Sequence, residues 1–542
     1  MAMHFATLWE AFADALPEVP AVIFGDKRWT WSQYEDRSAR VASVYAAAGL
    51  EVGDSVGLYL YNGNEYLECQ FGAMKQRILP INVNFRYLGN EMQYLLDNAD
   101  CKALVYHSSL ADRVVEVIGQ LPLLRLLIEV DDGVATAYVP GHVKYEDVIR
   151  EQTAAKRIHR ESEDVYMLYT GGTTGMPKGV MYHLGEISQS FTTSSLVAQG
   201  LEYEDDVAKI VEKVKQLRQD SGSYVAAPCC PLMHGTGMWI GAMIPHSGGG
   251  TVALLKSKKF DADELLRMVE QERINNVVIV GDAFGRPIAD ALDAALRSGR
   301  AYDTSSVSRM TSSGVMWTTE VKNRLIEHIP QVFLIDAMGS TEGSMASSIT
   351  SREMPTETAK FAINPTTKLF DDDDNEVLPG SWKTGKVANG GLTPIGYFKD
   401  PEKSARTFRV IDGHRYSFPG DLATFDEQGN LVLLGRGNQV INTAGEKVFP
   451  EEVEESVKRT TGIRDCLVVG LPDEKFGQIV IAVASVETGV TLDEATVIAF
   501  VKTQLSGYKA PKRVVFVSEV PRAPNGKADY PGARALAEAE VK

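Results

Sequence analysis

The amino-acid sequence predicts an α/β protein: a large N-terminal domain of mostly parallel sheets with helices, and a small C-terminal α+β domain. Strand-like and helix-like segments alternate through most of the chain, which is typical of parallel sheets covered by helices. The 542 residues exceed the roughly 150 residues that one hydrophobic core usually holds. Near residue 436 the pattern changes to a compact alternation, long enough for a separate domain. We therefore predict domains at 1–434 and 439–542, joined by a hinge at 435–438.

Short runs of β-branched and aromatic residues predict buried strands along the N-terminal domain. In chain order they cover residues 55–61, 103–106, 165–169, 277–280 and 332–335. A helix is predicted at 262–272, where Leu265, Leu266, Met268 and Val269 share one face. In the C-terminal domain, helices are predicted at 450–459 and 493–505, and strands at 465–470 and 479–486.

Two charged segments have simple structural interpretations. Residues 202–220 carry apolar side chains at helical spacing and predict an amphipathic surface helix. Four consecutive aspartates at 371–374 suggest a cation site, but no further ligands follow at a metal-loop spacing. A solvated hairpin turn is therefore predicted there.

Composition excludes several functional classes. The net charge of −17 argues against nucleic-acid binding, which needs clustered positive charge. No apolar run approaches the ~20 residues that span a bilayer, so no transmembrane segment is predicted. The five cysteines are an odd number without a CxxC pair, and the first residues lack the basic and apolar pattern of an export signal. These features predict a cytoplasmic protein.

Residues 169–179 read Tyr-Thr-Gly-Gly-Thr-Thr-Gly-Met-Pro-Lys-Gly and follow a predicted strand. Glycines let the backbone approach an anion, hydroxyls donate hydrogen bonds, and the lysine adds charge. The pattern is not a Walker loop, because Pro177 precedes the lysine and Gly179 follows it. We predict a phosphate-binding loop formed by Thr170, Gly171, Gly172, Thr173, Thr174, Gly175 and Lys178.

This loop resembles that of the adenylate-forming superfamily of acyl-CoA synthetases, firefly-type luciferases and peptide-synthetase adenylation domains. Six further motifs resemble those of the superfamily in the same order: residues 312–316, 338–342, 416–421, 435–438, 443–454 and 521–527. The resemblance covers essentially the whole chain. It departs from the family at Met338, where an aromatic residue is usual, and at Asn438, where Asp or Lys is usual. The predicted hinge residue is therefore uncharged.

The resemblance implies a role for each matched residue. Lys527 is the catalytic lysine of a mobile C-terminal domain, Thr341 contacts phosphate, Glu342 holds Mg²⁺, and His234 gates a thiol tunnel. Gly314, Val315, Met338 and Gly339 lie around the nucleotide, Asp421 and Arg436 lie at the ribose, Asn438 is the hinge, and the Gly445 loop faces the thiol. The chemistry fits, since a lysine lowers the repulsion between a carboxylate and the α-phosphate of ATP.

The implied activity is ATP-dependent activation of a carboxylic acid as acyl-AMP, followed by transfer to coenzyme A. A carrier-protein thiol as acceptor stays open, as does a nucleotide-binding protein without turnover and a homodimeric state. Residues 235–244 and 248–250 are apolar and glycine-rich, without Lys or Arg, and we expect them to bound a pocket for a hydrophobic monocarboxylic acid. Residues 82–87 and 281–287 are similar to segments of bacterial fatty-acyl and steroid-side-chain CoA synthetases.

Overall fold

The structure is a computed structural model in which residues 3–172, 175–315, 317–355, 360–381, 383–436, 439–443, 446–473, 476–505, 507–523 and 526–540 are described. Its α-helices are α1 Phe5–Ala15, α2 Trp31–Ala47, α3 Asn64–Lys75, α4 Gly89–Asn98, α5 Ala111–Ile118, α6 Tyr145–Glu151, α7 Leu184–Ala198, α8 Val207–Ser221, α9 Ile244–His246, α10 Ala262–Glu272, α11 Asp282–Arg297, α12 Thr319–His328, α13 Pro401–Thr407, α14 Pro450–Lys458, α15 Glu494–Gln504 and α16 Tyr530–Glu540. A π-helical segment, Thr236–Met243, precedes α9.

The strands follow the same chain order. They are β1 Pro20–Phe24, β2 Lys27–Thr30, β3 Ser55–Tyr59, β4 Leu79–Asn82, β5 Cys101–His107, β6 Leu126–Val130, β7 Val143–Lys144, β8 Val165–Gly172, β9 Gly175–His183, β10 Val225–Pro228, β11 Thr251–Leu254, β12 Asn276–Ile279, β13 Arg309–Ser313, β14 Phe333–Ser340, β15 Gly343–Thr350, β16 Lys360–Ile363, β17 Thr367–Phe370, β18 Gly385–Asn389, β19 Gly396–Tyr397, β20 Phe408–Ile411, β21 His414–Ser417, β22 Asp421–Phe425, β23 Leu431–Arg436, β24 Ile441–Thr443, β25 Glu446–Val448, β26 Ile463–Asp473, β27 Gly477–Val486 and β28 Arg513–Phe516.

The largest sheet has a parallel half and an antiparallel half. Strands β1, β11, β10, β12, β13 and β14 are neighbours in that order and pair in parallel. Strands β10, β11 and β12 are short and wholly buried, as expected of parallel strands covered on both faces. The β14–β15 hairpin reverses the direction, and the sheet continues through antiparallel pairs to β20.

Two further sheets complete the N-terminal domain. Strands β4, β3, β5, β6 and β7 form a five-stranded sheet in which every neighbouring pair is parallel. Strands β8 and β9 form an antiparallel hairpin, and β19 pairs with β9. This hairpin carries the glycine-rich segment, with Thr170 opposite Lys178 and Gly172 opposite Gly175.

The C-terminal segment has its own sheet and its own core. Strand order is β25-β24-β27-β26, with β28 parallel to β27. Along β26, Cys466 and Val468 pack with residues of α14 and α15, and Leu467 and Val469 pack with residues of α16. This alternation is that of a strand covered on both faces. The exact division at 435–438 stays a prediction, and residues 437 and 438 lie outside the described residues.

The predicted α/β class is confirmed, and so are most predicted elements. Helix α10 covers the predicted residues 262–272, and α8 buries Ile210 and Val214 as an amphipathic helix does. The strand predicted at 332–335 extends to Ser340, because β15 pairs along its whole length. The four aspartates form an exposed turn between Phe370 and Glu376, as predicted. Among the helices of the described ranges, none is long and apolar enough to cross a membrane.

Candidate active site

A cavity of about 860 Å³ lies along one face of the parallel half of the large sheet. Its floor includes Arg309, Thr311 and Ser313 of β13, which alternate along the strand and therefore point to the same face. Its roof includes residues 190, 191, 194, 197 and 198, which form one face of α7. Seven of the predicted site residues line it: Thr170, His234, Gly314, Met338, Gly339, Thr341 and Lys527.

The glycine-rich hairpin brings Lys178 next to Glu342. The Lys178 Nζ atom lies 3.9 Å from Glu342 Oε1 and 4.2 Å from the centre of the Tyr397 ring. The backbones of Gly171, Gly172 and Gly175 belong to β8 and β9, and Thr173 and Thr174 lie outside the described residues. Lys178 and Glu342 flank the cavity without being among its lining residues.

Glu342 occupies the turn of the β14–β15 hairpin and is only 8% exposed. Tyr397 Oη donates a buried hydrogen bond of 2.7 Å to Glu342 Oε1. Burial and the adjacent Glu342 charge raise the pKa of Tyr397 well above its usual value, so the phenol stays protonated and keeps donating. The turn is also fixed by Ser417 Oγ, which donates to the Glu342 carbonyl at 2.8 Å, and by Tyr182 Oη, which donates to the Thr341 carbonyl at 2.8 Å.

Lys527 reaches the cavity from a tight turn of the C-terminal domain. The Ala523 amide donates to the Lys527 carbonyl at 2.8 Å, and the Gly526 amide donates to the Ala523 carbonyl at 2.8 Å. Arg522 anchors the turn through two hydrogen bonds to Asp465, at 2.6 and 2.7 Å. A Cβ atom placed on Gly314 would lie 3.2 Å from Lys527 Cε. The lysine stem therefore lies directly against Gly314, which follows β13.

Charged and close-packed contacts hold the C-terminal domain in this position. A Cβ on Gly526 would lie 3.0 Å from that of Ala283 on α11, and Arg286 of α11 lies 3.8 Å from Glu487. Burial opposes the charge on Lys458, but Glu455 and then Asp282 outweigh it and raise the pKa of this lysine. Asp282 belongs to α11, so Lys458 stays charged partly through an interaction between the domains.

His234 and Lys527 line the same end of the cavity. Burial, followed by the positive charges of Lys527 and Arg86, lowers the pKa of His234 from 6.5 to about 3. The imidazole is therefore neutral at pH 7 and adds no charge to compete for the anionic groups that Lys527 would attract.

The remaining predicted site residues do not line the cavity or lie outside the described residues. Asp421 is buried, and its backbone pairs in register with that of Arg436 across β22 and β23; their predicted role at the ribose stays a prediction. Asp421 and Val315 are not among the residues lining the cavity, and Val315 packs against the core beneath the sheet. Asn438 and Gly445 lie outside the described residues.

The prediction for the acyl pocket is partly wrong. The lining residues of the segment are Gly235, Thr236, Trp239, Ile240 and Ile244. Gly241 instead faces Pro228 on the opposite side, and residues 248–250 pack against neighbouring side chains away from the cavity. The cause is the π-helical geometry of Thr236–Met243, which changes the faces on which successive residues lie.

Three polar residues at the far end of the cavity had no counterpart in the sequence prediction. Arg309, Asn276 and Tyr224 line it where β13, β12 and β10 begin. The absence of Lys and Arg from residues 235–244 therefore does not make the pocket uncharged. Tyr397 was also missed, since its only signal is the spatial contact with Glu342.

Comparison with known proteins fits this arrangement. The model of the AMP-binding enzyme family matches residues 9–393, and the model of the AMP-binding enzyme C-terminal domain matches residues 452–527. The chain belongs to the AMP-binding enzyme family.

Two full-length relatives of this AMP-binding enzyme are named as CoA ligases. It is 36% identical to 3-oxocholest-4-en-26-oate–CoA ligase of Rhodococcus rhodochrous, over 98% of this chain and 95% of that protein. It is 38% identical to medium-chain acyl-CoA ligase Mig of Mycobacterium avium, over 97% of this chain and 96% of that protein. The crystal structure of ATP-bound MatB from Rhodopseudomonas palustris matches with a TM-score of 0.80 and 22% identity, covering 98% of this chain and 100% of that chain. That likeness establishes the fold.

Proposed function

We propose that this AMP-binding enzyme is an ATP-dependent acid–CoA ligase acting on a hydrophobic carboxylic acid. The acid, a medium- or long-chain fatty acid or a steroid side-chain acid, becomes an acyl-AMP with release of pyrophosphate, and coenzyme A then takes the acyl group. The observation that carries this proposal is the position of Lys527 at one end of a cavity whose other walls are largely apolar. The full-length relatives named above are CoA ligases for such acids, which supports it.

The charges near Lys527 suit the first step. An acid carboxylate must approach the α-phosphate of ATP, and two unit charges about 4 Å apart repel by about 4 kcal/mol at an effective dielectric constant of 20. Lys527 would offset this repulsion and the charge that develops on the phosphoryl oxygens. Because His234 is neutral, it would add no positive charge at that end of the cavity, and Lys527 would act there without a second cation from the imidazole. Lys178, which lies on the glycine-rich hairpin, would attract the outer phosphates of ATP.

Mg²⁺ would be held by Glu342. Mg²⁺ is commonly bound through one or two carboxylates together with substrate phosphates and water. Within the described ranges, no group of three or more His, Cys, Asp or Glu side chains could hold a metal ion, so phosphate oxygens would need to complete the coordination. Tyr397 and Ser417 fix the carboxylate and its backbone in place. The ion would supply positive charge for the pyrophosphate leaving group.

The second step would require Lys527 to leave the cavity. We propose that the C-terminal domain turns about residues 435–438, so that the Gly445 loop replaces the lysine and a thiol enters past His234. Such a turn would break the ion pair of Arg286 with Glu487 and the charge interaction of Asp282 with Lys458, both of which water could replace. All five cysteines are free and buried, which supports a reducing compartment, and we include a cytoplasmic location in the proposal.

The test is a panel of acids from acetate to long-chain and steroid side-chain acids, with AMP and acyl-CoA measured in the presence and absence of coenzyme A. We expect acyl-CoA formation that depends on both ATP and coenzyme A. The value of kcat/KM should rise with apolar size, since burial contributes about 0.8 kcal/mol per methylene. Acyl-AMP that forms but gives no acyl-CoA when coenzyme A is present would instead indicate a carrier-loading enzyme. Acetate as the best substrate would contradict the proposal of a hydrophobic acid, and absent ATP turnover would indicate a nucleotide-binding protein.

A further inference from the structure

The far end of the cavity lies well beyond the reacting groups. Ser313 and Arg309 both line it, at the end and the beginning of β13. Four residues of a strand span about 13 Å. An acid whose carboxylate lies near Lys527 and Gly314 would therefore meet Arg309 only at the opposite end of its skeleton.

This end is polar, although the wall formed by Trp239, Ile240 and Ile244 is apolar. Arg309 Nη2 donates to the Ala198 carbonyl at 2.8 Å. Burial raises the pKa of Tyr224, and the nearby charge and hydrogen bond of Arg309 partly offset this effect. Asn276 Nδ2 donates to Tyr224 Oη at 3.1 Å. Three side chains with hydrogen-bond donors thus converge where a purely hydrocarbon tail would end.

The cluster has unused hydrogen-bonding capacity. No carboxylate among the described residues lies within 4.0 Å of Arg309. Its hydrogen bonds to the Ala198 carbonyl and to Tyr224 use only part of a guanidinium with five N–H groups. Asn276 is 3% exposed, and its Oδ1 atom has no hydrogen-bond partner in the described structure. Rotating the amide by 180° would let its oxygen accept from Tyr224 and leave an N–H donor for a ligand.

The cavity is open to solvent at this end. Val197, which lines it, is 65% exposed, and Ile349 is 45% exposed. A hydrocarbon end would remain partly in water there and gain little from burial. An oxygen atom would keep some hydration and also accept hydrogen bonds from the protein.

We infer that the acid carries a neutral oxygen, such as a ketone, at the end opposite its carboxylate, and that Arg309 with Asn276 and Tyr224 recognises it. The inference rests on the proposed ligase function and narrows its substrate class. A ketone fits the cluster because two of its three side chains, Asn276 and Tyr224, are uncharged and lie beside the single guanidinium. The name 3-oxocholest-4-en-26-oate, in the first relative above, describes an acid with its ketone and carboxylate at opposite ends.

The experiment compares matched acids with and without the distal oxygen. One pair is 3-oxocholest-4-en-26-oate and the same steroid acid without the 3-oxygen, and a second pair is a long-chain fatty acid with and without a ketone near its far end. We expect the wild-type enzyme to favour the oxygenated member of at least one pair by about tenfold in kcat/KM. Arg309→Met should bring that ratio near one, mainly through loss with the oxygenated acid, and Tyr224→Phe should lower it in part.

The ratio of two acids measured on one enzyme preparation does not depend on how much of it is folded. Any destabilisation caused by losing the Arg309 bond to Ala198 therefore cancels. Arg297→Met, a change of the same type on an exposed part of α11, should leave the ratio unaltered.

A wild-type ratio below twofold in both pairs would overturn the inference, and so would an Arg309→Met enzyme that keeps the wild-type ratio. Preference for an α,ω-dicarboxylic acid over the keto acid would overturn the choice of a neutral oxygen. These results differ from failure of the proposed function, in which neither member of either pair gives acyl-CoA.

Discussion

Replacing Tyr397 with phenylalanine removes one hydroxyl group and keeps the ring. The hydroxyl donates the 2.7 Å hydrogen bond to Glu342 Oε1, and the ring lies 4.2 Å from Lys178 Nζ. The variant therefore separates the hydrogen bond from the contact between the lysine and the ring. Without its donor, Glu342 Oε1 is free to move toward Lys178, only 3.9 Å away, and a carboxylate paired with a lysine binds a metal ion less well.

The size of the effect follows from the type of bond. A hydrogen bond to a charged group contributes about 1.5–3 kcal/mol, and about 1.4 kcal/mol corresponds to a factor of ten. Tyr397→Phe should therefore lower kcat/KM for acyl-AMP formation by about 10- to 100-fold. We also expect the half-saturating Mg²⁺ concentration to rise.

Pyrophosphate release at graded Mg²⁺ concentrations measures both quantities. The reaction of supplied acyl-AMP with coenzyme A should change less than about threefold, since it forms no pyrophosphate. Tyr34→Phe is the matched control, because Tyr34 is also buried and donates to the Leu67 carbonyl at 3.1 Å, away from the cavity. An unchanged Mg²⁺ dependence in Tyr397→Phe, or equal losses in both half-reactions, would refute the reasoning.

Four further outcomes are expected. Lys527→Ala should lower acyl-AMP formation at least ~100-fold and spare thioester formation from supplied acyl-AMP; equal loss in the two assays would contradict a role limited to the first step. Glu342→Gln removes the charge and should raise the Mg²⁺ requirement, which a Mg²⁺ titration measures. Ile240→Trp should penalise the largest acids most in the kcat/KM series, whereas Gly241→Ala, which would clash with Pro228 behind the pocket, should lower the melting temperature without reordering the acids. Burial, opposed in part by a hydrogen bond with Ala21, lowers the pKa of His246 from 6.5 to about 4. The unfolded chain therefore binds a proton first as pH falls, which lowers the free energy of unfolding between pH 7 and pH 5. In denaturant titrations, His246→Phe should make this decrease smaller by up to about 2 kcal/mol.

Sequence motifs could be recognised where their residues are consecutive, as in the segments with Lys178, Glu342 and Lys527. The backbone was less predictable, since residues 169–179 were predicted as a loop and largely belong to the β8–β9 hairpin. The strands and helices that were predicted could be recognised because their apolar residues repeat with the period of the element.

The sequence was insufficient where side chains from distant segments meet. Tyr397 lies 55 residues from Glu342 in the chain. The residues next to it in sequence belong to none of the recognised motifs, so they do not indicate the contact. Arg309 begins a strand in another part of the chain from residues 235–244, so inspecting that stretch alone could not find it. Gly241 was misplaced because a helix of i→i+5 hydrogen bonds does not follow the 3.6-residue period.

The floor of the cavity offers positions at regular depths where the length of the bound acid could be limited. Ser313, Thr311 and Arg309 are successive positions on one face of β13, and side chains on one face recur about every 6.6 Å along a strand. Each of the first two positions marks a depth at which a larger side chain could stop an incoming acid, without touching Lys527 or the nucleotide end. Enlarging Ser313 or Thr311 should therefore give enzymes that accept acids of different maximum length. The natural sequence, with small side chains at both positions, accepts the longest acids.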